Sequence, residues 1–197
     1  MNVWFEKTGR KESGERMMKK RKLAIFFPGG KYGTQAPLFY YADLVMAKKG
    51  YEVLEISYDD LAVGSSDWIN QTREQIWGRL KQIDFSAYGE IVLVAKSIGT
   101  VLAGWIREKI NKDVKVIFLT PLKGAFEYMD QKNSLVIAGT LDRLLAKEEL
   151  AEYCQKNGIC FHQFEGAGHA IVNRKDPIKS AEILTSIVKL YDAFIPD

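Results

Sequence analysis

Ser97 stands in Ala95-Lys96-Ser97-Ile98-Gly99, between the apolar run Ile91–Ala95 and a helical pattern. A serine at a sharp strand-to-helix turn has its Oγ pushed clear of the backbone. Such a turn accepts only small residues two places before and two places after the serine. Gly99 meets that demand in full, and Ala95 adds one methyl. Serine is also a common helix N-cap, so the pentapeptide alone leaves capping as an equal reading. Two other positions weigh against capping. A nucleophilic serine needs a base to take its proton and an acid to orient that base. His169 closes Gly166-Ala167-Gly168-His169 after the run Ile159–Phe164, and Asp142 closes Gly139-Thr140-Leu141-Asp142 after the run Leu135–Gly139. In an open sheet of parallel strands, residues that follow the strands share one edge, where ligands bind.

The rival residues have simpler readings. His162 lies inside an apolar run and reads as a hydrogen-bonded core or face residue. Asp130 precedes a run rather than following one, and Asp176 before Pro177 reads as a helix cap. Cys154 and Cys160 lack Cys-x-x-Cys spacing and a neighbouring histidine motif, and both read as packing residues. Lys96 is expected to point to solvent beside the serine, with no chemical role. Gly30-Lys31 is not a phosphate loop, because Ile25 stands where its first glycine belongs and Tyr32 where Ser or Thr would follow. Tyr32, Leu122, Phe126, Tyr128, Met129, Leu141 and Ile171 fall in loops at the same edge. As a group they are expected to line an acyl or alcohol pocket.

The elements that position these residues follow from periodicity. Six short runs rich in Ile, Val, Leu and Phe (Leu23–Phe27, Tyr51–Ser57, Ile91–Ala95, Val114–Thr120, Leu135–Gly139, Ile159–Phe164) are apolar throughout, which suits strands covered on both faces. Between them lie helical patterns. One opens at Pro37 and stops at Gly50, one carries Ile69, Ile76, Trp77, Leu80 and Ile83, and one carries Ile98, Val101, Leu102, Trp105 and Ile106. A last helix opens at Asp176-Pro177 and carries Ile183, Leu184, Ile187, Val188 and Tyr191. Strands alternating with helices predict an α/β fold on a mostly parallel sheet with helices on both faces. No repeat, linker or low-complexity tract divides the 197 residues, which read as one domain, 1–197.

Composition narrows the class. Hydrophobic residues make up 47% and charged residues 27%, which excludes a disordered chain. No stretch approaches the ~20 apolar residues of a membrane helix. Two cysteines and two histidines exclude a disulfide framework and a His-rich metal site. The net charge of +3 is uneven: residues 1–22 carry eight Lys and Arg against Glu6, Glu12 and Glu15, so residues 23–197 sum to −2. The basic start is read as an antiparallel hairpin, 3–7 with 15–20 around Gly14, whose lysines blunt a sheet edge. It is not read as a nucleic-acid surface. The five-residue run after Lys22 is too short for a signal peptide, and a cytoplasmic protein is expected.

From Leu23 to about Tyr191 the chain resembles the α/β-hydrolase superfamily. Pro28-Gly29-Gly30 matches its oxyanion loop, Ala95–Gly99 its nucleophile elbow, Gly139–Asp142 its acid turn and Gly166–His169 its histidine loop. The order Ser97, Asp142, His169 is that family's and not that of chymotrypsin or subtilisin. The Ala-x-Ser-x-Gly form is similar to that of small, lidless bacterial lipases. Two departures stand out: Pro28 replaces the common histidine of the oxyanion loop, and only 13 residues, Pro121–Asn133, occupy the place of the usual lid. The resemblance implies acyl transfer by a serine esterase or thioesterase. Ser97 is the nucleophile, His169 the base and Asp142 the orienting acid. The oxyanion is held by the backbone N–H of Ile98 and of Gly30 or Lys31. It implies a small-molecule acyl substrate, no cofactor, no metal and no nucleic-acid partner. The alternative is a non-catalytic binding module on the same fold, for which an intact triad has no use.

Overall fold

The computed structural model describes residues 20–58 and 67–197. The hairpin expected over residues 3–20 lies outside the described residues, apart from the exposed Lys20. In chain order the elements are β1 (Arg21–Phe27), α1 (Pro37–Lys48), β2 (Tyr51–Glu55), α2 (Trp68–Leu80), β3 (Tyr88–Lys96), α3 (Ile98–Lys109), β4 (Lys115–Leu119), β5 (Ser134–Gly139), α4 (Lys147–Lys156), β6 (Cys160–Phe164) and α5 (Pro177–Phe194). Among the described residues every strand pairs in parallel, in the order β2-β1-β3-β4-β5-β6.

The unbroken apolarity of the strands has a two-sided cause. Leu23, Ile25 and Phe27 of β1, with Ile91, Leu93 and Ala95 of β3, face α2, α3 and α4, which bring Ile76, Leu80, Leu102, Ile106, Leu150 and Cys154. The alternate residues Ala24, Phe26, Val92 and Val94 face α1 and α5. There Phe39, Ala42 and Met46 of α1 meet Ile183, Ile187 and Tyr191 of α5, each set at helical spacing. Pro37 sits in the first turn of α1. The Asp176 side chain caps α5 by accepting from the Lys179 N–H at 2.9 Å.

The sheet order reverses at β1: β2 lies on one side of it and β3 on the other. The loops after β1 and β3 therefore diverge from a switch point, the place where open α/β sheets form a crevice. Segment 121–133 contributes a 3-10 helix, Lys123–Tyr128, seated on α3. The Gly104 Cα meets the Tyr128 ring so closely that a Cβ there would lie 2.3 Å from it.

Three features differ from the sequence expectations. The ten-residue helix α4 was not foreseen as a helix. Lys22 is not a solvated charge: it is buried in β1, 3.5 Å from Glu90 and over the Tyr51 ring. Cys160 is exposed at the start of the edge strand β6, whereas Cys154 packs in the core, where burial pushes its thiol up to about 11. Among the described residues no helix is long and apolar enough to cross a membrane.

Candidate active site

The elbow is built by close approach. Ser97 has φ 54° and ψ −121°, in the strained positive-φ region that a non-glycine residue occupies only when its surroundings impose it. Its N–H donates to Leu119 O at 3.0 Å, and its carbonyl accepts from the Thr100 N–H and hydroxyl. Gly99 permits the turn, since a Cβ there would lie 2.2 Å from Phe27 O and 2.5 Å from Pro28 O. Ser97 occupies the N-cap position of α3, yet its side chain makes no capping hydrogen bond. Its Oγ lies 2.9 Å from His169 Nε2 instead.

The acid turn and the histidine loop follow β5 and β6, which are neighbours. Thr140 N–H donates to Phe164 O, Leu141 N–H to Ala167 O, and Gly166 N–H to the Thr140 hydroxyl. The two loops touch at Gly139, where a Cβ would fall 2.1 Å from Ala167 O. That lacing places Asp142 Oδ2 2.7 Å from His169 Nδ1. Burial would push the Asp142 carboxyl up. The hydrogen bonds from His169 and from the Leu144 N–H, with the charges of His169 and Lys96, outweigh burial and hold it below the usual carboxylate range. Asp142 is therefore an anion at neutral pH, 6% exposed, with the 29% exposed imidazole between it and the serine. His169 itself sits in a tight turn closed by Gly168 N–H to Val172 O and Ile171 N–H to Gly168 O.

The loop after β1 folds against the elbow. Gly29 and Tyr32 pair across a short turn with Gly30 and Lys31 at its tip. A Cβ on Gly29 would stand 3.4 Å from Ser97 Cβ, so this turn packs directly beside the serine. The Ile98 N–H opens α3 and has no acceptor four residues back within the helix.

A groove of about 1010 Å³ runs from this point, lined by residues 28–35, Ile98, Glu55, Ile56, Ser57, Tyr58 and Trp68. Of the expected pocket residues only Tyr32 lines it. Met129 and Ile171 are 6% and 2% exposed and belong to the two cores, Ile171 despite a φ of 55°. Leu122 and Phe126 pack under α3, with Phe126 against the Tyr153 ring, and the Tyr128 ring lies on Gly104. Leu141 is 60% exposed beside Asp142. Sequence reasoning missed Tyr58 and Trp68. Tyr58 follows β2, and the carboxyl end of that strand was a signal of the same kind as the others, whereas Trp68 opens α2.

Lys96 corrects an expectation outright. It is 1% exposed, and its ammonium donates to the Thr120 hydroxyl and, at 2.6 Å, to the His169 carbonyl. The rivals lie elsewhere. Asp130 binds Arg107 and the Lys132 and Asn133 N–H groups, and His162 faces Cys160 Sγ at 3.6 Å on β6.

The sequence matches no family model and no curated protein. Solved structures do resemble the chain. A serine hydrolase homologue from Coxiella burnetii aligns with a TM-score of 0.67 at 13% identity, over 89% of this chain and 85% of that one. Est1E from Butyrivibrio proteoclasticus, with ferulic acid bound, aligns with a TM-score of 0.61 at 14% identity, over 91% and 90%. Esterase 2 of Thermogutta terrifontis, phosphorylated by paraoxon, aligns with a TM-score of 0.60 at 20% identity, over 89% and 82%. The fold of this chain is the α/β-hydrolase fold.

Proposed function

We propose that the protein is a serine hydrolase that cleaves small carboxylic esters or thioesters through an acyl-enzyme. The observation that carries this reading is the continuous line Ser97 Oγ, His169 Nε2, His169 Nδ1, Asp142 Oδ2, with spacings of 2.9 and 2.7 Å. Those are the contacts that nucleophilic catalysis by serine requires.

In the reaction Ser97 Oγ attacks the substrate carbonyl carbon while Nε2 of His169 takes its proton. Asp142 remains a carboxylate, accepts from Nδ1–H and stabilises the imidazolium. The Ile98 N–H and the N–H of Gly30 or Lys31 hold the tetrahedral oxyanion. Each such donor typically contributes about 3 kcal/mol to the transition state. The oxyanion collapses, the leaving alkoxide or thiolate departs with the proton from Nε2, and Ser97 keeps the acyl group. Water then attacks the acyl carbonyl as Nε2 accepts a proton and returns it to Oγ, releasing the acid. No step calls for a metal or cofactor. The groove beside Ile98, with Tyr32, Tyr58 and Trp68 on its walls, supplies apolar surface for one arm of a small substrate.

A panel of p-nitrophenyl esters and acyl thioesters tests the reading. Short acyl chains are expected to turn over faster than long ones, with no rise at the micellar threshold and no loss in EDTA. Ser97→Ala is expected to lose nearly all turnover. Turnover surviving in Ser97→Ala contradicts the assignment.

A further inference from the structure

We propose that Lys96 is a positioning residue for the reaction: its ammonium pins the histidine loop to the end of β4 and so holds the His169 imidazole on Ser97 and Asp142. The proposal rests on the serine-hydrolase reading and adds to it a fourth residue that does not touch substrate.

The placement is unusual for a lysine. Side chains of this type are almost never fully buried unless paired with a carboxylate. Lys96 is 1% exposed, and among the described residues it forms no ion pair. It follows Val92 and Val94 on the face of β3 that α1 and α5 cover, in register with Leu119 of β4. Three chain segments supply its partners: the Thr120 hydroxyl after β4, the His169 carbonyl after β6, and the Tyr32 ring after β1, whose centroid is 5.1 Å from Nζ. Each segment flanks the catalytic line. Thr120 is itself held at φ 42°, a costly conformation for a β-branched residue. Its N–H donates to Ile137 O at 2.7 Å and its hydroxyl accepts from Lys96, so the strained turn presents that oxygen to the ammonium. A methionine would fill the same volume and supply no donor.

Hydrogen bonds from an ammonium are roughly twice as strong as neutral ones. The clamp therefore weakens when Lys96 loses its proton. Burial pushes that ammonium down to about 8, against the opposing charge of Asp142. The titratable groups facing it are Tyr32 after β1, Asp142 after β5 and His169 after β6. Burial raises the Tyr32 phenol, partly offset by the Leu38 N–H, and Asp142 is already ionised. Of the facing groups, Lys96 is the one whose charged form burial makes easier to lose. Activity consequently falls on the alkaline side, and the profile is a bell rather than a single rising limb.

The test uses the full chain and the second-order rate constant for labelling by a fluorophosphonate from pH 5 to 10, alongside kcat and KM on a short ester. Wild type is expected to show a rising limb and a descending limb near pH 8. Lys96→Met is expected to lose about 10–100-fold in kcat and in labelling rate, as a displacement of about 1 Å can cost ~100-fold. Its KM should stay within about twofold, and its descending limb should be gone. Lys96→Arg, which cannot deprotonate in this range, should recover part of the rate and also lack that limb. Thr120→Val keeps the lysine but removes one acceptor, and should move the limb to lower pH. It carries the test if Lys96→Met does not fold. Lys96→Met with wild-type rate and both limbs, or Thr120→Val with an unmoved limb, overturns the positioning role alone. Wild type that is folded yet unlabelled overturns the serine-hydrolase reading and this one with it.

Discussion

At the scale of single residues the proposed chemistry turns on proton traffic through one imidazole. Asp142 is held as an anion below the usual carboxylate range, which suits the proposed task of orienting His169 and balancing its charge and not that of taking a proton. Asp142→Asn is expected to fold normally and lose up to ~10⁴ in kcat, because Nδ1–H loses its acceptor. A general base must be neutral to accept the Ser97 proton, so kcat/KM is expected to rise from acid pH. His169→Gln should abolish the rising limb with most activity, while His162→Gln should keep both. Steady-state kinetics across pH on the three variants checks this, and a limb lost in His162→Gln would reassign the base. That Ser97, Asp142 and His169 come together was legible because their types and their positions after apolar runs agree. Lys96 was not. Burial of a lysine depends on which loops converge above it, and a rule drawn from composition sends it to solvent.

At the scale of elements, the six strands were legible because both faces are covered and apolarity is continuous. Helix α4 was obscured by its own polarity, since among its described side chains only Leu150 and Cys154 are buried in the core. A parallel β5–β6 pair nonetheless demands a crossover of that kind. The tightest constraint on an element is the contact between α3 and the end of β1. Gly99→Ala would drive a methyl to 2.2 Å from Phe27 O, against backbone that has no side chain to move aside. Overpacking of this sort costs about 1–3 kcal/mol, a Tm loss of roughly 3–10 °C in a chain of this length. Thermal unfolding should show that loss, and the labelling rate at Ser97 should fall by at least ~10-fold as the elbow shifts. A variant with wild-type Tm and rate would show that the elbow does not depend on this approach.

At the scale of the whole molecule, the sheet order was the least legible feature. A sequence gives the succession of strands but not which side of β1 the next one takes. The reversal between β2 and β3 opens the groove beside Ile98, whose walls include Tyr58 after β2 and Trp68 at the start of α2. Charge at this scale is modest, with residues 23–197 summing to −2 and Lys22 withdrawn into β1. Replacing Lys19 and Lys20 with glutamine should leave turnover of a neutral ester nearly unchanged. Salt-dependent binding of DNA or RNA by the wild type, lost in that variant, would contradict this. In the proposed reaction one serine among all those in the chain is activated. Treating folded protein with a fluorophosphonate and mapping the adduct by peptide mass spectrometry tests it most directly. One adduct is expected, on Ser97, absent from Ser97→Ala and slow in His169→Gln. An adduct on another residue, or none on folded protein, would contradict it.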